Sequence, residues 1–400
     1  MYLLYKEIAQ PLKKNNKAFS LHPLLKIAGL SLLSSILIWP VLSSAASAQF
    51  ARLYEVQGGR VFLRRSNWKN FYQTQPRTML LGDDLLNVEV GADVVLLCPD
   101  GYLSDSIQVG VSNVGATCVG TPRSVRPTFG ISGEWHATDA TQPYVITPWS
   151  EQVLTATPML RWNPVAIAQE YEVTLQRRDG ESWETVWTVT SEQASMAYPA
   201  AEPELEAGEE YALRVAVVGE VGEESSEAVA EEVALAADAI ATEVFSLLDG
   251  FDQQGLAEEV AKVDAFDVDE LTKTLILVEE IYPRYKLFAQ GAHELTELLD
   301  SGTENELIHR LLGDYYIRSG LALPAEASYL KAMELARAGE NIEEEALAAW
   351  GLGTLYSRTE HAQEACTYLQ QAQTLADELG DSDLMASIEA EIERVMANNE

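Results

Sequence analysis

Apolar and polar residues change their period along this chain, and the changes mark its segments. Between residues 49 and 130 the period is two. GGRVFLRRSNWKNF, MLLGDDLLNVEV and ADVVLLCPDG alternate or run apolar over strand lengths, broken by Gly-Gly, Gly-Asp-Asp and Pro-Asp-Gly turn signals. Val61 and Leu63 then point inward while Phe62 and Arg64 point the other way. The unbroken run 94–97 suits a strand covered on both faces. Residues 143–235 keep period two, with TPMLRWNPV, EYEVTLQRR, ETVWTVT and LEAGEEYALRVAVV spaced as in a β-sandwich. Residues 236–268 read as a partly helical connector. Residues 269–397 change to the helical period, with Gly and Pro confined to boundaries. The predicted fold class is multidomain β + α: a small β domain, a β-sandwich and a C-terminal helical array.

The helical segment repeats itself. LLGDYYIRSGLALPAEASYLKAMELA (311–336) and GLGTLYSRTEHAQEACTYLQQAQTLA (351–376) align at an offset of 40. The shared residues include Leu312/Leu352, Gly313/Gly353, Tyr316/Tyr356, Arg318/Arg358, Ala325/Ala365 and Ala332/Ala372. Small residues at fixed positions let two antiparallel helices approach, and a tyrosine fills the space beside them. A weaker copy stands upstream, Tyr282 lying 34 residues before Tyr316 and Gly291 34 before Ala325. Residues 383–396, with Leu384, Ile388 and Ile392 on one face, close the array.

This L-G-xx-Y … A-xxx-F/Y-xx-A pattern resembles the tetratricopeptide repeat (TPR), although Leu369 replaces the aromatic of the second copy. The spacing exceeds the family's usual 34 or so, and a lengthened turn around 338–343 is expected to hold the surplus. The resemblance implies a solenoid whose groove takes a protein or peptide partner. It places Arg310, Asp314, Ile317, Arg318, Trp350, Thr354, Ser357 and Arg358 on the groove wall. Trp and Arg are enriched at binding hot spots. Arg318 and Arg358 equally suit the negative end of their helices, and Trp350 equally suits internal packing. Some members hold a peptide's carboxylate with Lys and Asn; Asp314 stands at that Asn position, a departure from that mode.

The β segments carry resemblances of their own. Gly59, Val61, Leu63 and Arg64, then Leu81, Gly82, Asp83 and Leu85, then Asp100 and Gly101 resemble the small β domain of FecR-like envelope proteins. The signalling role of that family needs an internal membrane span, which this sequence lacks, so it is not carried over. Leu160 and Trp162, Tyr171 and Val173, and the corner Leu205, Gly208 and Tyr211 resemble a fibronectin type III domain. That likeness implies a buried Tyr211 whose hydroxyl bonds back to the backbone. The acidic stretch 219–232 departs from it.

Composition narrows the function. Lys13, Lys14, Lys17 and Lys26 precede an apolar run (27–41) and the A-x-A signature of Ala46, Ser47 and Ala48, so residues 1–48 read as a cleaved signal peptide. The protein is expected in the periplasm or cell envelope, touching membrane only if that segment stays uncleaved. The net charge of −35 is uneven. Residues 49–130 hold eight Lys/Arg and seven Asp/Glu, whereas 131–400 hold fourteen against 54. Such a chain repels nucleic acid and anionic lipid. In an oxidising compartment Cys98 and Cys118 can pair, leaving Cys366 as a buried thiol.

Candidate chemistry is sparse. GVSNVG (110–115) misses the G-x-S-x-G elbow by one residue, and His293-Glu294 lacks the second histidine of a zinc helix. His136, His293, His309 and His361 are scattered. Asp264, Asp267, Asp269 and Glu270 lack the glycine of a calcium loop and read as a helix start. Trp68, Phe71 and Tyr72 lie beside Arg64, Arg65 and Lys69. That patch meets glycan or an acidic partner, the chain's own C-terminal half included, or is a half-buried hairpin with Lys/Arg stems laid along it. The expectation is a non-enzymatic scaffold without metal or cofactor that holds protein partners in its helical groove. Cell-wall or polysaccharide binding through the N-terminal β domain is the alternative.

Overall fold

A computed structural model of the chain describes residues 50–122, 137–148, 152–166, 168–218 and 240–398. The signal reading of 1–48, His136 and the acidic stretch 219–232 lie outside them. Strands β1 (Ala51–Gln57), β2 (Val61–Arg64), β3 (Tyr72–Gln73), β4 (Met79–Leu80), β5 (Leu85–Val88), β6 (Asp93–Leu97) and β7 (Gly110–Asn113) make two sheets, ordered β4-β1-β6 and β3-β2-β5-β7. Val61 and Leu63 are buried and Phe62 and Arg64 only half so, as the alternation requires. The run 94–97 is covered less fully than expected, because Val95 stays half-buried. A Cys98–Cys118 disulfide, with Cα atoms 5.1 Å apart, ties the end of β6 to the helical turn Val114–Thr117.

The second β region comprises β8 (Val145–Thr147), β9 (Gln152–Val153), β10 (Leu160–Trp162), β11 (Glu170–Asp179), β12 (Ser182–Ser191), β13 (Ser195–Met196), β14 (Glu210–Val218) and β15 (Ile240–Leu247). Its sheets run β13-β10-β8 and β12-β11-β14-β15-β9 around Leu160, Trp162, Val173, Leu175, Leu213 and Val215. The Tyr211 hydroxyl accepts the Glu206 amide at 2.9 Å, and Tyr171 accepts that of Val165 at 2.8 Å. The connector expected at 236–268 is corrected here: 240–247 is a strand of this sheet. Without it β14 would leave a row of backbone groups open, and ATEVFSL offers the alternation that fills the place, Glu243, Phe245 and Leu247 being buried or nearly so. The connector shrinks to α1 (Gly250–Asp264), capped by Asp249, which accepts the Phe251 and Asp252 amides at 2.9 Å.

The helical array follows. Asp269 caps α2 (Glu270–Ile276) by accepting the Thr272 amide at 2.9 Å, so this carboxylate starts a helix. A π turn (Leu277–Ile281) and a 3-10 turn (Tyr282–Tyr285) continue α2. Then come α3 (Phe288–Asp300), α4 (Glu306–Arg318), α5 (Ala322–Ala338), α6 (Ile342–Arg358), α7 (Ala362–Leu379) and α8 (Ser382–Asn398). Each repeated glycine faces a large side chain on the following helix. A Cβ on Gly313 would lie 2.6 Å from the Tyr329 ring, and one on Gly353 the same distance from Leu369, which stands where Tyr329 does forty residues earlier. Gly351 closes on the other side of Tyr329, where a Cβ would meet the ring at 2.5 Å. The tyrosine is thus clasped between α4 and α6 and is fully buried.

The lengthened turn expected at 338–343 is not there. α5 and α6 have 17 residues each, and the turns after them (339–341 and 359–361) have three. The surplus sits in the helices, where it adds buried surface instead of loop. Leu384 and Ile388 of α8 are buried and Ile392 packs on the same core.

Gly351→Ala is expected to destabilise the array by about 1–3 kcal/mol through overpacking, although alanine favours a helix by about 1 kcal/mol. Urea unfolding measures it, and Tyr329→Leu in the same background recovers part of the loss. A stability gain from Gly351→Ala alone would mean that α6 does not touch this ring.

Candidate functional site: a chamber between the β domain and the helices

The loop after β2, RRSNWKN, is the basic and aromatic stretch of an otherwise acidic protein, and it lies on the helical array. A helix C-terminus exposes unpaired carbonyls and the negative end of its dipole. At the end of α7 the Lys69 amide donates to Leu379 O at 2.8 Å. Lys69 Nζ donates to Asp377 O at 2.7 Å and to its Oδ1 at 2.9 Å. The Tyr72 hydroxyl donates to Glu378 O. Gly380, at φ +80°, turns the chain away, and a Cβ there would strike Lys69 Cγ at 2.5 Å. Trp68 Nε1 and Asn67 Nδ2 donate to Asp381 at 3.1 and 3.0 Å. Of the uses open to this patch, it takes contact with the chain's own C-terminal half; Arg64 stacks on Phe71 at 5.0 Å.

Two buried arginines complete the docking. Arg65 reaches Asp84 of its own domain at 2.8 Å and Glu343 of α6 at 2.7 Å. Arg52, on β1 and 0% exposed, meets Glu279 at 2.5 Å and Glu280 at 2.9 Å. These acids are adjacent in sequence and sit in the π turn, so one widened turn presents both to one guanidinium. A continuous apolar cluster runs from Leu63 and Leu86 through Trp68 to Ile317, Tyr329 and Leu352. The β domain and the array share one core.

Between them lies a chamber of 680 Å³, within the range of about 300–1,000 Å³ usual for ligand sites. Arg65, Asn67, Met79 and Leu81 of the β domain form its roof, and alternate helices α4, α6 and α8 form most of its walls. Of the predicted wall residues, Arg310, Asp314, Ile317, Trp350, Thr354 and Arg358 line it. Arg318 and Ser357 do not. Arg318 stacks on Phe288 at 4.2 Å, and the Ser357 hydroxyl lies within hydrogen-bond reach of both Thr354 O and Glu391, with one proton to give.

Arg310 is not free to receive a partner. It is buried, and it contacts Asp314 and Glu344 at 2.5 Å and Glu279 at 3.9 Å. Arg358 lies 3.7 Å from Glu391, which also holds Arg394 at 2.5 Å; burial and the neighbouring Arg394 lower the Arg358 pKa. Burial pushes the Glu344 carboxyl up to about 7, against the opposing pull of Arg310. Three wall atoms stand apart. Trp350 Nε1, Thr354 Oγ1 and Arg358 Nε are buried and have no hydrogen-bond partner among the described residues. A buried polar group left so costs about 1–3 kcal/mol, which a ligand acceptor recovers once the side chain turns that atom into the chamber.

No family model matches this chain, and no curated protein is significantly similar to it. Among the described residues no cluster of His, Cys, Asp and Glu is arranged to hold a metal ion, and no helix is long and apolar enough to cross a membrane.

The sequence reading missed the roof, and it found the closing helix α8 without placing that helix on the wall. The roof was legible only as charge, the basic loop 64–69 facing a −40 remainder. On α8, Leu384, Ser387, Glu391 and Arg394 recur at three- and four-residue steps and share one face.

Glu343→Ala leaves Arg65 with Asp84 as its remaining ion-pair partner and is expected to cost about 1.5–3 kcal/mol. Urea unfolding is the check, and a loss below about 1 kcal/mol would mean a solvated, surface-like contact. Glu344 gives a pH signature. Its folded pKa is raised, so between about pH 4.5 and 7 the folded state holds a proton the unfolded chain has released, and this group's contribution falls as pH climbs through that window. Glu344→Gln should flatten that part of the stability–pH curve; an unchanged slope would place the titration elsewhere.

Proposed function

We propose that the protein is an exported, non-enzymatic scaffold that holds a segment of a partner protein in the chamber of its C-terminal array. The observation that carries this reading is the set of buried, unsatisfied donors on the chamber wall, Trp350 Nε1 and Thr354 Oγ1 foremost. Thr354 is only 4% exposed, and an extended peptide segment brings a row of carbonyl acceptors to such a wall. The TPR-like repeat supports the same reading, since stacked helix pairs line one groove with alternate helices, here α4, α6 and α8. A fibronectin type III-like sandwich and a FecR-like β domain fit an envelope protein built from spacer modules, and the leader-like residues 1–48 fit export. The β domain has a second task in this reading: it closes the groove, so that a short segment enters instead of a whole helix or domain.

The basic and aromatic patch after β2 favours this reading over the glycan alternative. Trp68, Lys69 and Tyr72, the aromatic and basic residues that would stack on and bind sugar, are bonded to α7 and the turn after it.

A photo-crosslinking residue at Leu347, on the chamber wall, tests the proposal in an envelope extract. It should trap a protein, and Trp350→Phe or Thr354→Val should abolish the adduct while leaving the melting temperature within about 2 °C. Adducts that persist unchanged in both variants would remove the chamber as the binding site.

A further inference from the structure

We infer that the chamber selects a basic segment, an extended stretch of polypeptide carrying lysine or arginine; the inference rests on the chamber being the partner site. The wall itself argues for it. Its lining holds four arginines against six acids, Glu279, Asp314, Glu343, Asp381, Asp383 and Glu391, besides Glu344, which burial keeps protonated up to about pH 7. Three of the arginines are committed, and the fourth, Arg358, sits 3.7 Å from Glu391 with its Nε open to a neutral acceptor such as a backbone carbonyl. Arg65 and Arg310 each already contact two or more carboxylates, and Arg358 and Arg394 share Glu391. An anionic ligand would have to break one of these pairs and then face the carboxylates left behind. A cation adds to a wall that is short of positive charge.

The chain supplies a template for what this surface accepts. Its basic stretch, Arg65 through Lys69, docks beside the chamber by Arg65–Glu343 on the wall helix α6, by Trp68 to Asp381 in the turn after α7, and by Lys69–Asp377 on α7, outside the lining. One acid is left over at the rim. Asp383 is exposed, and its nearest donor is the neutral Asn67 amide at 3.4 Å. A lysine or arginine side chain entering beside Asn67 has that carboxylate to pair with. Deeper in, Trp350 Nε1 and Thr354 Oγ1 lack acceptors and the segment's backbone carbonyls provide them. Side-chain charge and backbone thus address different parts of one wall. The field of the whole array acts in the same sense, residues 269–397 carrying nine Lys/Arg and 25 Asp/Glu.

The test uses three pools of fluorescein-labelled decapeptides, randomised except for two central positions fixed as Lys/Arg, Ser/Gln or Asp/Glu. Fluorescence anisotropy is read against the full chain at 0.15 M salt. The basic pool should bind about tenfold tighter than the neutral one, a difference of ~1.4 kcal/mol. Asp383→Asn should weaken it about two- to fivefold, as loss of one exposed charge pair does, and Thr354→Val should weaken all binding. A neutral or acidic pool that binds as tightly as the basic one, and still responds to Thr354→Val, overturns the charge selection and leaves the chamber reading standing. Basic binding that ignores Thr354→Val is attraction to an acidic surface only, and it overturns both, as does binding by no pool.

Discussion

The arrangement depends on two arginines that the β domain buries against the helices. Moving a guanidinium out of water costs several kcal/mol, recovered only where carboxylates meet it in good geometry. For Arg52 those carboxylates come entirely from the π turn, and for Arg65 half of them come from α6. Neither domain satisfies its own charge alone. The two are therefore held at one orientation, and that orientation makes an open groove into a roofed chamber. Lys69 and Tyr72 extend the same logic by supplying donors to the end of α7, which would otherwise be left with unpaired carbonyls.

Behind the chamber, glycine sets the helix spacing. Gly313 and Gly351 bring α4 and α6 onto the two sides of Tyr329, whose hydroxyl donates to Asp314 at 2.7 Å. Asp314 in turn holds Arg310 on the inner wall. Close backbone packing, a buried aromatic and the charged lining are thus links of one chain. A methyl group added at the glycine is felt at the wall.

Much of this was legible in the sequence. Period two marked β2, β4, β5, β6, β10, β11, β12 and β14, period 3.6 marked the helices, and the 40-residue offset found the residues that pack; the resemblance to the repeat family named eight wall positions, of which six line the chamber. The failures have physical reasons. β15 follows a long acidic stretch, and although ATEVFSL alternates, its own period does not say which distant strand it pairs with. The surplus of the repeat went into helix length, since helical residues bury surface while loop residues do not. Arg318 was placed on the wall by analogy, but at the last turn of α4 it finds the ring of Phe288. Ser357 sits one position before Arg358, and a rotation of about 100° per residue turns it toward Glu391 of α8. The docking of the β domain showed only as charge asymmetry, which states that two regions attract without stating where.

The central claim is that the β domain is fastened across the array, and the Lys69 backbone amide reports on it directly, because its acceptor, Leu379 O, belongs to α7. Residue-resolved hydrogen exchange on the full chain should show this amide protected to nearly the same free energy as the buried amides of α7. Exchange at the rate of an open loop would contradict the account, for the roof of the chamber would then be detached from its walls.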